Sequence, residues 1–582
     1  MNRFVRRLLV GAVAGGVAGL PALLTGAMSG GVFAFGILAG ALFAASIRPT
    51  RGAYVDNMMT GASLGIPLWG IVNVIVLPLM SGGHMTWDAA EMQNHFAGLF
   101  AWVLFGALFG VMFQAFSDAA VFQFGPEIQP SPKSPSVVKR IVILGGGFGG
   151  MKTAEWLEKQ FAGEQSVSIT LISETNALLF TPMLAEVAGS SLEPSHISAP
   201  LRSSLRQTAF VRGHVTDIDL ERRKVLLDGG GLERAESAPE LEYDHLVLAL
   251  GAVSNYLGMA NVERLAFNFK SLFDAIRIRN HVIEMFERAD REQDSAVRKK
   301  LLTFVIAGGG FAGVELAGAL NDFTHGILAD YRNLQIEELA VILVHSRDRI
   351  LPELSDSLAS YAMQKLEQRG VTFRLNTRLK DAAAGLVTLS DGQIACETLV
   401  WTAGTTPNPL LKNLAVAKDK RGAVVVDSTL AVPQCAGVWA LGDCAAVNDG
   451  KTGKPCPPTA QFALREAETI ATNIRAALRG LPGKRFHFDS LGALCVIGHQ
   501  TACAELTVPF ARSRSLRFSG LLAWLMWRGI YLSKLPGLER KIRVLMAWNL
   551  ELFFPRDIIQ TIELEEQRDH DINTGSRARN PA

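Results

Sequence analysis

The chain has little cysteine and almost no net charge. Its six cysteines stand at positions 396, 435, 444, 456, 495 and 503, and no two form a C-x-x-C pair. The spacing therefore indicates neither a disulfide framework nor a metal site, and reduced, mostly buried thiols are expected. Lys and Arg number 57 against 55 Asp and Glu, a net charge of +2. This balance gives no electrostatic case for nucleic-acid binding.

Charged side chains are missing over three long stretches near the N-terminus, 8–47, 57–87 and 96–117. A charge at mid-bilayer costs about 2.5–3.5 kcal/mol, and a spanning helix needs about 20 apolar residues. The stretches therefore predict four transmembrane helices, at about 8–26, 30–47, 58–80 and 96–117. A secretory signal over residues 1–28 is the competing interpretation, but no small-x-small site is followed there by a polar segment.

The charges that flank these stretches are distributed asymmetrically. Arginines border the first two predicted spans and acids separate the last two: Arg3, Arg6, Arg7, Arg48 and Arg51, then Asp88 and Glu91. The positive-inside rule places both ends of such a module in the cytoplasm. We therefore expect a multi-pass protein of the inner (cytoplasmic) membrane whose remaining domains lie on the cytoplasmic side.

Two glycine-rich loops of the form G-x-G-x-x-G each follow a short apolar strand and precede a helical pattern. The first contains Gly145, Gly147 and Gly150, and the second contains Gly308, Gly310 and Gly313. In such loops the first glycine permits a tight turn, the second lets a pyrophosphate approach, and the third lets helix and strand pack closely. Two loops in this context predict two bound dinucleotides with electrons passing between them, most simply from NAD(P)H to FAD.

The order of these patterns predicts an α/β protein with two Rossmann-like domains, the second inserted in the first. We expect a transmembrane module over 1–124, a proline-rich linker over 125–137, an FAD-binding domain over 138–264 and 401–507, an NAD(P)H-binding domain over 265–400, membrane-interface helices over 508–565, and a disordered tail over 566–582.

The C-terminal segment is rich in Leu and Trp and is also basic. Its longest charge-free run, 518–527, is too short to span a bilayer. Basic residues punctuate the segment, which predicts amphipathic helices lying in the membrane interface. A helical pair packed on the protein core is the alternative.

From about 138 to 557 the chain resembles the type II NADH dehydrogenases, single-subunit NAD(P)H:quinone oxidoreductases that do not pump protons. The matching segments are 179–188, 243–251, 308–315, 351–355, 402–404, 442–443 and 458–461. The N-terminal membrane module is not part of the usual enzyme. The resemblance implies FAD, NADH or NADPH, a quinone acceptor, contact with the lipid bilayer and possible homodimerisation.

The resemblance also implies roles for individual residues. Gly145, Gly147, Gly150, Gly251, Gly404, Gly442 and Asp443 would hold FAD, with Thr181 and Pro182 against its ring. Gly308, Gly310 and Gly313 would hold the nicotinamide dinucleotide. Ala460 and Gln461 would border the quinone site, and Glu315 would stand near the nicotinamide–flavin contact. The alternative for Glu315 is an acid at a helix N-terminus, which the helix dipole favours.

Three departures from the family pattern stand out. Ser173 ends the second strand of the FAD domain where an acid often binds the ribose, and Glu174 is the candidate substitute. His345 and Arg347 follow the equivalent strand of the second domain, where a carboxylate would repel a 2′-phosphate; we therefore expect NADPH to be tolerated. Arg465 replaces the second glutamine of the quinone motif.

Rival functions are weighed on the same residues. A disulfide reductase or sulfide:quinone oxidoreductase of this fold needs redox cysteines, and none lies near the first glycine loop. A membrane-anchored nucleotide or redox sensor, or an assembly protein with slow turnover, is the alternative of a different class, motivated by the extra N-terminal module.

Overall fold

The computed structural model describes residues 3–24, 36–41, 43–44, 54–69, 72, 96–124, 138–228, 240–507, 515–551 and 553–560. The chain divides into two compact units, Met1–Ser134 and Pro135–Ala582. The predicted linker over 125–137, the predicted disordered tail over 566–582 and much of the second and third predicted spans lie outside the described residues.

The first unit contains three helices, with residues 36–41 and 43–44 also helical: α1 (Arg3–Leu24), α2 (Tyr54–Trp69) and α3 (Phe96–Phe124). Helices α2 and α3 meet backbone to backbone, because a Cβ on Gly61 or on Gly106 would overlap the carbonyl oxygen of the other. Asn57 donates a hydrogen bond to Gln114 at 2.6 Å across this contact. Small residues at this contact thus let the two helices approach closely.

One helix among the described residues, Gly98–Ala120, is long and apolar enough to cross a membrane, with a mean hydropathy of 2.0. Leu8–Gly19 forms a shorter apolar helix. The described residues therefore support one full-length span at the fourth predicted position, and they do not establish the predicted four-helix transmembrane module.

The second unit begins with a five-stranded parallel sheet and its surrounding elements. The strands follow the order β21 (Val438–Ala440), β9 (His245–Leu248), β1 (Lys139–Leu144), β2 (Val167–Ser173) and β5 (Ala209–Arg212). The elements up to its fourth strand in sequence are β1 (Lys139–Leu144), α4 (Phe148–Gln160), β2 (Val167–Ser173), β3 (Ala177–Leu179), α5 (Leu184–Ala188), β4 (Ser198–Pro200), α6 (Leu201–Ser204), β5 (Ala209–Arg212), β6 (Val215–Asp219), β7 (Lys224–Leu227), β8 (Glu240–Glu242), β9 (His245–Leu248) and β10 (Ala252–Ser254).

A second five-stranded parallel sheet has the order β11-β18-β12-β13-β14. Its elements are α7 (Ala260–Leu265), β11 (Phe267–Asn268), α8 (Leu272–Arg291), α9 (Ser295–Leu301), β12 (Thr303–Ala307), α10 (Phe311–Ile327), β13 (Ala340–Val344), α11 (Asp356–Gln368), β14 (Val371–Arg374), β15 (Leu379–Ala383), β16 (Leu386–Leu389), β17 (Gly392–Ala395) and β18 (Thr398–Trp401).

The chain then returns to the first sheet. The returning elements are β19 (Thr405–Pro407), β20 (Val424–Val425), β21 (Val438–Ala440), β22 (Ala445–Ala446) and α12 (Ala460–Leu478). Strand β21 completes the first sheet beside β9, so the whole second sheet is formed by chain that intervenes between two strands of the first. One strand of each sheet, β1 or β12, leads at its carboxyl end into a glycine loop. This edge is where open α/β sheets bind ligands.

The C-terminal segment adds a three-stranded antiparallel sheet and two helices: β23 (Gly492–Val496), β24 (Ala502–Thr507), β25 (Ser515–Ser519), α13 (Gly520–Lys534) and α14 (Leu538–Leu550). Helical structure thus starts at Gly520, after a strand, rather than throughout the segment predicted as interface helices. Trp524, Trp527 and Trp548 are buried in the main core, whereas apolar residues such as Leu525 and Met546 are exposed. The helices therefore pack on the protein and also present an apolar face.

Candidate functional site

The first glycine loop connects β1 to α4 with the geometry of a dinucleotide cradle. Gly145 has a φ of +107°, which favours glycine, and a Cβ on Gly150 would overlap the carbonyl oxygen of Gly145. A Cβ on Gly147, in contrast, would meet no protein atom within 4 Å. The first and third glycines thus serve the packing of the loop, and the second faces open space at the N-terminus of α4.

The second glycine loop repeats this division between β12 and α10. Gly308 has a φ of +126°, and a Cβ on Gly313 would overlap the carbonyl oxygen of Gly308. A Cβ on Gly310 would meet no protein atom within 4 Å. The open side above each middle glycine, beside helical N–H groups that favour anions, fits one dinucleotide per loop.

The residues at the ends of the second strands lie directly beneath these loops. A Cβ on Gly146 would stand 2.7 Å from Ser173 Oγ, and one on Gly309 would stand 2.7 Å from His345 Cγ. Glu174 instead turns outward, with its exposed carboxylate 2.8 Å from His214 Nδ1. Ser173 rather than Glu174 therefore faces the first loop, which weakens the hypothesis that Glu174 replaces the missing acid.

The side chain of His345 is fixed in one tautomer by the second loop. Its Nδ1 accepts a hydrogen bond from the Gly309 N–H at 3.1 Å, so the proton resides on Nε2. Nε2 is enclosed and has no hydrogen-bond partner among the described residues. Burial, and secondly the charge of Arg347, lower the pKa of His345. A neutral donor thus stands beneath this loop, while Arg347 is exposed beside it.

The remaining positions predicted to hold FAD lie on a short turn and beside two crossing strands. Thr181 and Pro182 start a short 3₁₀ turn that leads into α5. Gly251 and Gly404 belong to the paired crossing strands: Asn408 N–H donates to the carbonyl of Gly251, and Asn255 N–H donates to that of Gly404. These crossings connect the two parallel sheets.

The Gly442–Asp443 turn is held by two residues that motif reading missed. Glu466, a buried residue of α12, accepts a hydrogen bond from Gly442 N–H at 2.7 Å. Burial raises the pKa of Asp443, and the positive charge of Lys270 opposes that rise. Neither residue belongs to a motif. Lys270 is a charge in a largely apolar segment, whereas Glu466 stands next to Arg465 and close to Glu468 and has no such signal in the sequence.

Ala460 and Gln461 begin helix α12. The Gln461 amide binds the start of β23: its Nε2 donates to Gly492 O at 3.3 Å, and its Oε1 accepts from Leu491 N–H at 2.7 Å. Arg465, the family's second glutamine position, lies 5.5 Å from the ring centroid of Phe488. Gln461 thus joins α12 to the C-terminal sheet.

Glu315, on α10, contacts the other end of the same strand, β23. Its carboxylate accepts the Val496 N–H at 3.4 Å. Burial raises the pKa of Glu315 to about 8, the Val496 N–H lowers it, and the charge of Glu186 raises it further. Glu186, on α5, and Glu315 line one cavity. Glu186 was not among the functional candidates predicted from the sequence, although it is a charged residue inside the apolar segment 179–188.

Comparison with known proteins agrees with this architecture. Residues 139–467 match the profile of the pyridine nucleotide-disulphide oxidoreductases, and residues 491–557 match that of the NDH2 C-terminal domain. The type II NADH:quinone oxidoreductase Ndh of Mycobacterium tuberculosis (strain ATCC 25618 / H37Rv) is 31% identical over 449 residues, covering 74% of this chain and 91% of the relative.

Two further relatives point the same way. A probable NADH dehydrogenase of Dictyostelium discoideum is 32% identical over 427 residues, covering 72% of this chain and 91% of the relative. NDH2 from Plasmodium falciparum, solved in complex with NADH, shares the fold, with a TM-score of 0.64, 18% identity and coverage of 72% of this chain and 99% of that one. The glycine loops, the two sheets and the matched C-terminal segment together show that the chain belongs to the type II NADH:quinone oxidoreductase family.

Proposed function

We propose that the protein oxidises NADH with bound FAD and passes two electrons to a quinone, without pumping protons. The observation that carries this proposal is the pair of strand-flanked loops, each with its middle glycine open to a ligand, in a chain whose C-terminal segment matches the NDH2 C-terminal domain. The names of the curated relatives support the same reaction.

The residues of the chain divide the work between binding and orientation. The first loop would hold the FAD pyrophosphate, and Asp443 would accept hydrogen bonds from hydroxyl groups of the same cofactor. When bound, FAD accepts a hydride from the nicotinamide and passes two electrons to quinone. Thr181 and Pro182 would orient the flavin ring, the second loop would hold NADH, and Ala460 and Gln461 would border the quinone.

The experiment that tests this function is an anaerobic titration of the purified protein in detergent. Addition of NADH should bleach the visible flavin band, and addition of a quinone should restore it. Bleaching without recovery would assign the electrons to another acceptor. A flavin-loaded protein that NADH does not bleach would contradict the enzyme and favour the nucleotide sensor.

The protein is expected to accept NADPH within a hundredfold of its efficiency with NADH. His345 and Arg347 stand where a carboxylate would repel a 2′-phosphate. The exposed Arg347 is free to form a charge-assisted hydrogen bond with the phosphate, which contributes about 1.5–3 kcal/mol. Flavin reduction rates with the two nucleotides measure the ratio. Arg347→Glu, at an exposed position beside the loop, should reduce the rate with NADPH at least tenfold and leave the rate with NADH within a few-fold. A wild-type ratio beyond a hundredfold in favour of NADH would contradict this specificity.

The two ends of the chain would attach the protein to the inner membrane, with the catalytic unit on the cytoplasmic side. The exposed apolar face of α13 and α14, with basic residues such as Lys534 and Arg543, supports a tail lying in the bilayer interface. The apolar helix Gly98–Ala120 supports at least one N-terminal span. Four spans and a homodimer stay predictions.

Deletion of residues 1–125 is expected to leave the rate of quinone reduction in detergent within about twofold of the full chain. The predicted FAD, NADH and quinone residues all lie within Pro135–Ala582, so the N-terminal module would serve as an anchor. Steady-state turnover with a water-soluble quinone analogue measures the effect. Loss of quinone reduction with retained NADH-driven bleaching would instead assign an acceptor role to the module.

A further inference from the structure

Two buried carboxyl groups share one cavity beside the C-terminal helices. The cavity measures about 30 Å³ and is lined by Glu186, Glu315, Asp322, Arg528 and Arg556, among others. Glu186 follows the Thr181–Met183 turn on α5, and Glu315 lies on α10 behind the second glycine loop. A volume of this size admits one water molecule, the kind of bridge that a proton would need to pass between the two carboxyl groups.

The two arginines that line this cavity form ion pairs with a third carboxylate, that of Glu551. Arg528 contacts Glu551 at 3.3 Å and Arg556 contacts the same carboxylate at 3.0 Å. Glu186 receives a single neutral donor, the Trp548 Nε1–H, at 3.1 Å on its Oε1. Its Oε2 is enclosed and has no hydrogen-bond partner among the described residues. Such surroundings favour a protonated carboxylic acid, whose O–H needs no cation.

Several charged and polar groups surround Glu186 and shift its pKa in opposite directions. Burial raises the pKa of Glu186 to about 8, the charge of Arg528 lowers it, Glu551 raises it, and Trp548 and Arg556 lower it. Glu315 also has its pKa raised by burial to about 8. Both carboxyl groups therefore carry a proton at neutral pH, and the two ionise as a coupled pair.

Quinone reduction by NADH needs such a proton. In the balanced reaction, NADH + H⁺ + quinone → NAD⁺ + quinol, the nicotinamide supplies a hydride and the protein must deliver one further proton. A buried acid that is protonated near neutral pH suits that delivery.

Resting on the proposed function, we infer that Glu186 holds this second proton: as Glu315 gives up its own proton toward the quinone, Glu186 passes one across the shared cavity to replace it. Glu186 gives up its O–H proton, becomes a carboxylate stabilised by Trp548 and the neighbouring Arg528, and regains a proton from solvent between turnovers. The tail would thereby hold the relay in place, with Arg528 on α13, Trp548 on α14 and Glu551 directly after α14.

Glu186→Gln is the variant that tests the relay. It keeps the shape of the side chain and an acceptor for Trp548 but removes the transferable proton. Quinone turnover (kcat) at pH 7 should fall about a hundredfold, at the low end for a positioned proton donor. The rate of NADH-driven flavin bleaching in a single turnover should stay unchanged. The matched control Glu193→Gln, at an exposed position seven residues along the chain, should retain both rates.

The pH profile separates proton delivery from a structural role. Wild-type turnover should fall as pH rises through the shared pKa near 8, because the acid acts in its protonated form. Glu186→Gln removes the neighbouring negative charge, lowers the pKa of Glu315 and moves the fall to lower pH. Trp548→Phe removes the donor that stabilises the ionised form and moves it to higher pH. A merely structural cluster would lower the melting temperature of both variants without moving the profile.

An infrared measurement keeps the inference separate from quinone turnover. The infrared difference spectrum of the full chain between acidic and alkaline pH, on either side of about pH 8, should contain a protonated-carboxyl band that Glu186→Gln reduces. Absence of this band in the wild type, or an unchanged kcat and pH profile in Glu186→Gln, would overturn the relay. A wild type that bleaches with NADH yet never reduces quinone, with the band present, would instead contradict the proposed acceptor.

Discussion

A valine at position 310 is expected to leave a folded, FAD-loaded protein that NADH reduces at least a hundredfold more slowly. Gly310 has an extended backbone that valine adopts readily, and a Cβ there meets no protein atom within 4 Å. The valine side chain therefore enters only the space in which the dinucleotide pyrophosphate would lie. A hundredfold loss corresponds to about 2.8 kcal/mol of binding or positioning energy.

The measurement compares the rates of flavin bleaching by NADH and by dithionite. Dithionite should bleach Gly310→Val as fast as wild type, because it needs no nucleotide site. Gly326→Ala is the matched control, since Gly326 lies on the same helix and also has no neighbour within 4 Å of a Cβ. An unimpaired NADH rate in Gly310→Val would mean that the second loop does not bind the nucleotide.

A valine at position 147 is expected to have the reciprocal effect, a protein purified with less than about a tenth of the wild-type flavin and correspondingly little activity. Gly147 also has an extended backbone and an open Cβ direction, so the substitution obstructs only the cofactor side of the first loop. A tenfold loss of occupancy needs about 1.4 kcal/mol, and a branched side chain against a pyrophosphate exceeds this.

Flavin content per chain, read from the visible absorbance after purification, measures this effect. Gly310→Val serves as the comparison, because it alters the equivalent position of the other loop and should keep its flavin. Circular dichroism should show unchanged secondary structure for both variants. A fully flavinated Gly147→Val protein would refute the assignment of FAD to the first loop.

Local patterns were sufficient for the parts of the site that are local in the chain. A strand, a G-x-G-x-x-G loop and a helix follow one another within about a dozen residues, so the two dinucleotide loops and the returning Gly442–Asp443 turn were predictable from the sequence. The comparisons confirm the family and the FAD and NADH cofactors, and they confirm the quinone reductase activity that the family resemblance implied.

The direction of individual side chains was less predictable. Successive residues of a strand point to opposite faces. If the predicted end of β2 is wrong by one residue, the side chain expected to face the first loop changes from Ser173 to Glu174. The structure extends β2 through Ser173, and Glu174 pairs with His214 instead. His345 packs against the second loop as Ser173 packs against the first. Arg347 is exposed.

By itself the sequence determined the two dinucleotide loops, the sheet that interrupts another, and the apolar character of both ends, because each rests on neighbours in the chain or on composition. Only the tertiary structure decided what surrounds Glu186. Its donor Trp548 lies 362 residues away in the sequence, and no periodicity links such distant positions. The pKa of a buried acid depends on which charged groups lie close to it in the folded protein. The proposed relay between Glu186 and Glu315 therefore depends on the packing of the C-terminal helices on the core.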